Sequence, residues 1–490
     1  MKKKIENIAY KCTFPYILIY LFYVCINDIL FFINLLNPIN KLIYPMFAIA
    51  GAILIIIDFF GQRRMLKAKG SLFLVLFVIF TGISSLINAR YGFVENVKTI
   101  VWTAILFFVI YSFTQMQSKT DSIKQLKIIS NTITPIYFGG VIVSFMQFVF
   151  QINYNVLSLD SGKSMRQGFT EGRLFGVFYD PNYSGITCLC MIALSVFFIL
   201  NSKNILLKIY HWVNIVFQIL YVVLCASRTA QLAALIALII CIPYPLYRFL
   251  RNKQKIRFVS FIIALSVAVG CCVVVVYGTQ LIREGASYLP SLIGVTQKNP
   301  TGTEKPGNNH QVIMTRPDTG TESEISNHRI EIWLGGLEIW KSTPFFGTSP
   351  RNNLIYAKEV MPDSFIAKSG YSMHNGYLNV LVSTGFFGAI SFIGFVVMYL
   401  CCVIKRFLTA TKSTDFSKPA VLLSILICCS LGAMSLQMLI FMNSIREVFF
   451  WTILGYMLSL MPGDTTDEKQ PVLYRLSESL ISHLKKERNI

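Results

Sequence analysis

Residues 258–277 read FVSFIIALSVAVGCCVVVVY, an unbroken apolar run with no charged side chain. A helix needs about 20 such residues to cross a ~30 Å hydrocarbon layer. In lipid every backbone N–H and C=O must be satisfied internally, and a lone run of this length can do so only as an α-helix. Comparable runs recur along the chain. Spans are predicted at about 14–36, 42–60, 71–87, 97–114, 128–150, 184–200, 210–226, 229–246, 258–277, 377–404, 419–440 and 443–461. The predicted fold class is an all-α polytopic membrane protein, with about twelve transmembrane helices and one large extracytoplasmic loop.

Composition agrees. Of 490 residues, 54% are hydrophobic and 14% charged, where a soluble domain carries roughly 25% charged residues. The formal net charge is +20. Such a balance can mark a nucleic-acid binder, but here the cations sort by loop. Most of the 44 Lys and Arg fall in 1–13, 61–70, 115–127, 201–209, 247–257, 405–418 and 462–490, which are alternate connections. The positive-inside rule then puts both termini in the cytoplasm of a bacterial inner (plasma) membrane. No nucleic-acid partner is needed to explain the charge. The 12 cysteines lie mostly inside apolar runs, without a CxxC pair. They read as small buried hydrophobes rather than as disulfides or metal ligands. The N-terminal MKKK with its apolar run from Phe14 resembles a signal peptide. The run is too long and has no small-residue cleavage site, so it is expected to remain as a first helix.

The resulting organisation is transmembrane helices 1–5 in residues 1–150, an extracytoplasmic loop at 151–183, helices 6–9 in 184–277, the large extracytoplasmic loop at 278–375, helices 10–12 in 376–461, and a cytoplasmic tail at 462–490. A loop as long as 278–375 is usually functional. Its part 296–326 is rich in Thr, Gly, Pro, Asn and Glu, has little to bury, and is expected to be mobile. Residues 329–341, RIEIWLGGLEIWK, carry Ile332, Trp333, Leu337 and Trp340 at helical spacing. This predicts an amphipathic helix, on the outer membrane face or packed on the bundle.

Cations at or near bilayer depth are costly and mark function. Arg173 sits in GRLFGVFYDPNYSG, Arg228 in ASRTAQ, Arg329 opens the amphipathic helix, and Arg446 begins the last span. Singly, each is equally explained as an anchor snorkelling to headgroups. All four fall on the predicted outer side, against the charge rule, which points to a shared anionic ligand. The planar guanidinium fork suits phosphate. His374 lies where the large loop re-enters the membrane. A neutral imidazole there is placed to take a proton from a sugar hydroxyl; the plainer alternative is a cap that binds water. Gly385 and Gly388 permit close packing or a local helix break. Asp180-Pro181-Asn182 reads as a helix entry with Pro in the first turn. Asp28 is suited to pair with a buried arginine that the sequence does not name.

Four elements in order resemble the O-antigen ligase and Wzy-type polysaccharide polymerase superfamily. They are His374-Asn375 followed by Gly385-Phe-Phe-Gly388; Arg173…Gly176…Pro181-Asn182; Ser227-Arg228-Thr229; and Arg329…Trp333…Pro344-Phe-Phe-Gly347. Ala230 stands where the family has Gly or Ala after the third element. The resemblance covers roughly 160–400. It implies a metal-independent, inverting membrane glycosyltransferase related to the C-type fold, acting on the outer leaflet without a cofactor. The implied donor is an undecaprenyl-diphosphate-linked oligosaccharide, and a flippase and a chain-length regulator are the implied partners. By the same resemblance His374 is the general base, Arg173, Arg228, Arg329 and Arg446 hold the diphosphate, Asn375 orients the base, and Trp333, Asn182, Tyr377, Gly385 and Gly388 support the site. Polymerase and ligase differ only in the acceptor. An Ile-, Lys- and Asn-rich composition hints at an AT-rich, Gram-positive source without a lipid A core, which favours the polymerase. A transporter of the same lipid-linked sugar is the alternative from another class, although no second copy of the His-Asn element is present.

Overall fold

The computed structural model describes residues 2–159, 161–253, 257–295, 311–315, 328–408, 416–461 and 471–487. The chain is mostly helical. Its principal helices are α1 (Lys2–Ile26), α2 (Leu30–Phe60), α3 (Ser71–Ile87), α4 (Phe93–Ile105, continued to Gln115 through a π turn), α5 (Lys119–Val149), α6 (Pro181–Asn201), α7 (Ile205–Leu224), α8 (Arg228–Cys241), α9 (Arg257–Ser287), α10 (Arg329–Ser342), α11 (Gly376–Leu408), α12 (Ser417–Gly432), α13 (Ile445–Leu460) and α14 (Val472–Glu487). Among the described residues, nine helices are long and apolar enough to cross a membrane. α3 and α12 are apolar but shorter, and α13, with 16 residues, is the most deeply buried helix of all. The protein is thus a polytopic membrane protein, and nine, rather than twelve, is the number of crossings that length and hydropathy alone supply.

α13 forms the centre. Trp451 is fully buried and packs against Phe107, Tyr111, Phe395 and Phe450. α2 and α9 lie at the periphery, with only 11% and 17% of their apolar windows buried; such all-round apolar helices belong against lipid. All 12 cysteines are free thiols.

Connections gather on two faces. On one, Arg63 pairs with Glu478 of α14 at 2.9 Å, and the Lys69 N–H donates to Gln115 at the end of α4. On the other, Ile29 bridges Phe178, Asn88 donates to the Gly347 carbonyl, and Gln437 N–H donates to the Tyr183 hydroxyl. Every candidate site residue except the glycines of α11 lies at or beside this second face.

Three expectations need correction. The all-α class omits a three-stranded antiparallel sheet in the 151–183 segment: β1 (Asn153–Leu157), β2 (Ser164–Thr170) and β3 (Arg173–Gly176). Its β2–β3 turn is made by Glu171 (φ 51°) and Gly172 (φ 67°), the left-handed pair that matches strand twist in tight hairpins. Secondly, α2 runs through Pro38 and Pro45, so the first two spans part at residues 27–29 rather than 37–41. There the Leu30 N–H donates to Val177 O at 3.0 Å: tertiary contact, not proline, sets the break. Thirdly, the span predicted at 419–440 ends at Gly432, and 433–444 is irregular. The helix expected at 329–341 is present as α10, seated on the bundle by Ile332, Gly335, Gly336 and Ile339, with Trp333, Leu337 and Trp340 half-buried. A Cβ on Gly336 would stand 2.9 Å from both Leu378 and Met373, so this glycine lets α10 lie against the start of α11, while Gly335 faces Ile366. The stretch 296–326 lies outside the described residues except for 311–315, whose Val312 N–H donates to Ser287 O at 3.0 Å. The charged tail contains the helix α14.

Candidate functional site

Three helices begin where motif residues cluster, and each start is capped by its own sequence. Asp180 caps α6, its side chain accepting from the N–H groups of Asn182 (2.8 Å) and Tyr183 (3.2 Å), with Pro181 in the first turn. Ser227 caps α8 by accepting from Ala230 N–H at 3.3 Å. Asn375 caps α11, its amide oxygen accepting from Tyr377 and Leu378 N–H, each at 3.0 Å. Such residues satisfy orphan N–H groups in the first turn.

On β3, Arg173 reaches across to the other elements. Its Nε donates to Cys225 O at 3.0 Å and its Nη2 to the Asn182 amide oxygen at 2.8 Å. Arg173 and Asn182 are therefore brought together, and both are tied to the C-terminus of α7. Arg228, the first residue of α8, is exposed and has no hydrogen-bond or ion-pair partner among the described residues. Arg329 opens α10.

His374 is half-buried with φ at 44°, and its ring lies 6.0 Å from that of Tyr371. Burial lowers its pKa below the ordinary 6.5; the Asp180 carboxylate raises it, while Arg329 and Lys163 lower it further. Asp180, Arg329 and Lys163, from three separate segments, thus lie within electrostatic reach of the imidazole. At neutral pH the imidazole is uncharged and can accept a proton. Tyr377 is exposed, its hydroxyl donating to Ser430 O at 3.1 Å. The buried Trp333 indole N–H has no hydrogen-bond partner among the described residues.

The two Phe-Phe-Gly elements form one unit. Gly385 has φ 63° and ψ −163° and interrupts α11, in a region essentially reserved for glycine. The loop 343–349 lies in the break. Phe386 and Phe387 N–H donate to Pro344 and Phe345 carbonyls at 2.8 and 3.2 Å, while Thr348 and Ser349 N–H donate to Val382 and Ser383 carbonyls at 3.0 and 2.9 Å. A Cβ on Gly385 would run into the Phe345 and Phe346 backbone, and one on Gly347 would come within 2.5 Å of Ser383 C and Val382 O. Gly388 faces Thr384 of its own helix. The order Arg329…Pro344-Phe-Phe-Gly347…His374-Asn375…Gly385-Phe-Phe-Gly388 is therefore one folded ensemble. Residues 213–393 match the family model described as O-antigen ligase. The match runs from α7 into α11 and contains Arg228, Arg329, Trp333, His374, Asn375, Tyr377, Gly385 and Gly388. Arg173, Asn182 and Arg446 lie outside it. No curated protein matches the chain. The family so described comprises membrane glycosyltransferase-like ligases and polymerases acting on lipid-linked sugars, and the match covers this part of the chain.

Arg446 stands apart from the other arginines. It is buried in a bidentate pair with Asp28 at 2.8 and 2.9 Å, donates to the Thr187 hydroxyl at 3.3 Å, and lies 4.8 Å over the Tyr183 ring. Tyr137 donates to the same carboxylate. This is the arginine partner that Asp28 lacked in the sequence.

Sequence reasoning missed Arg283. It lies near the end of α9, two turns past the predicted span, and donates to Val223 O and Gly172 O, each at 3.2 Å, and to Met314 O. It fastens the large loop to the β2–β3 turn and to α7. Sequence reasoning also missed that Lys163 and Asp180 act electrostatically on His374.

Proposed function

We propose that the protein is a polymerase of undecaprenyl-diphosphate-linked oligosaccharide repeat units, joining them by inverting glycosyl transfer on the outer leaflet of a bacterial plasma membrane. The observation that carries this reading is a half-buried His374 at the capped start of α11, inside the stretch that matches the O-antigen ligase family model, with Asp180, Arg329 and Lys163 acting on it electrostatically. In the proposed step the acceptor hydroxyl oxygen attacks the anomeric carbon. The bond from that carbon to the diphosphate breaks, the lipid diphosphate leaves, and His374 takes the hydroxyl proton. Arg173, Arg228 and Arg329 bear on the charge that develops on the bridging oxygen, where fixed cations stabilise most. Asn375 fixes the turn that carries His374. Arg446 contributes through Asp28, holding the α1–α2 break against α6 and α13. The proposed topology keeps twelve crossings, counting α3, α12 and α13, with both termini in the cytoplasm. Lys and Arg on the α14 face support that orientation. A flippase and a chain-length regulator are proposed partners.

The test is turnover of the lipid-linked oligosaccharide by purified protein with matched His374→Ala and Arg228→Glu variants. Loss of product in both supports base and clamp; wild-type turnover in either removes that role. A second reading, ligation of finished polymer to a final acceptor, is favoured by the ligase description of the family. Deletion separates the two: single repeat units left on the surface indicate a lost polymerase, and long polymer stranded on the carrier indicates a lost ligase. A transporter would leave the lipid-linked sugar chemically unchanged.

A further inference from the structure

Residues 433–444, AMSLQMLIFMNS, are apolar and mostly buried, yet they are not helical. Leu439 (φ 91°), Phe441 (φ 76°) and Asn443 (φ 53°) sit in the left-handed region, which is a true outlier for bulky side chains. Such strain persists only where surrounding structure over-determines it. Irregular backbone at membrane depth must also find its hydrogen bonds in the protein. The partners it finds are informative. Ala433 O accepts from Gly376 N–H at 2.7 Å. The Ser435 hydroxyl meets that of Thr229 at 2.9 Å. Gln437 N–H donates to the Tyr183 hydroxyl at 3.0 Å. Met442 and Asn443 N–H donate to the Glu447 carboxylate, each at 2.6 Å. Each partner adjoins a site residue in sequence: Gly376 follows His374-Asn375, Thr229 follows Arg228, Tyr183 follows Asn182, and Glu447 follows Arg446.

We infer that 433–444 is a registering segment, with Ser435 and Gly376 as positioning residues that hold the starts of α6, α8, α11 and α13 at fixed separations. It lies outside the matched family domain. The catalytic consequence rests on the glycosyl-transfer reading; the registration itself does not. A shift of the segment moves His374 relative to Arg228, and misplacing a reacting group by ~1 Å can cost on the order of 100-fold in rate. Ser435→Ala strips the hydroxyl that meets Thr229, and Ser435→Thr restores it. Gly376→Ala sets a Cβ 2.6 Å from Met438 O and pushes the segment away from α11.

The full-length protein in lipid nanodiscs gives two readouts. One is kcat and KM on undecaprenyl-diphosphate-linked oligosaccharide. The other is the rate at which diethyl pyrocarbonate modifies His374, followed on its peptide by mass spectrometry. Ser435→Ala is expected to lower kcat about tenfold with donor KM nearly unchanged, and to speed His374 modification several-fold. Ser435→Thr should return both, and Gly376→Ala should exceed Ser435→Ala in both if it folds. Wild-type His374 reactivity in Ser435→Ala, or a kcat loss that Ser435→Thr does not recover, would overturn the inference. If the wild-type protein itself turns over no lipid-linked sugar, the transfer reading falls, while His374 reactivity still decides the registration.

Discussion

The two irregular stretches on the candidate-site face, the break at Gly385 and the segment 433–444, solve one problem by different means. At Gly385 the orphaned backbone groups of α11 pair with backbone: four bonds to the loop 343–349 replace the lost helical ones. At 433–444 backbone partners, Gly376 among them, are joined by side chains from Tyr183, Trp451 and Glu447, with the Ser435–Thr229 pair alongside. The first arrangement depends on glycine at one or two positions and is indifferent to most neighbouring side chains. The second tolerates any backbone that fits but depends on particular side-chain oxygens and nitrogens. A satisfied break is rigid in either case, because unpaired polar groups away from water are costly.

Substitution can break this contrast. The largest effect is expected for Gly385→Ala, where left-handed strain and collision with the 345–346 backbone add to about 4 kcal/mol; thermal unfolding in detergent would show a collapsed midpoint and little monodisperse protein. Glu447→Leu removes the acceptor for two N–H groups and is expected to cost about 3 kcal/mol, with Glu447→Gln near half of that, read as graded midpoint shifts. Tyr183→Phe leaves the Gln437 N–H without its acceptor, at about 1–2 kcal/mol. The smallest effect sharpens the comparison: Phe386→Leu keeps the backbone bond to Pro344 and should lie within about 0.5 kcal/mol of wild type. A Phe386→Leu loss as large as that of Tyr183→Phe would dissolve the distinction.

A break at Gly385 was one of two readings the sequence offered, because glycine writes its own permission; its contact with the Pro344–Gly347 loop was not legible. The 433–444 segment was not legible either, because its apolar composition is that of a helix and its irregularity is imposed by residues far away in the chain. The same holds for the α1–α2 break, where the distant Val177 takes the Leu30 N–H. Caps at Asp180 and Ser227 and the entry at Pro181 could be read locally. The sheet was hidden by short strands of mixed polarity. Arg446 looked like its fellow arginines in sequence. Only the fold shows it occupied by Asp28.

The pH dependence of turnover by His374 tests the central claim most directly. A half-buried imidazole with a lowered pKa stays neutral and competent at pH 7, so the acid limb of kcat/KM should lie below that of an ordinary imidazole. His374→Gln should lose this acid limb together with on the order of 100-fold or more of the rate, while donor binding persists. A His374→Gln variant with wild-type turnover and an unchanged profile would contradict the assignment of the reaction to this site.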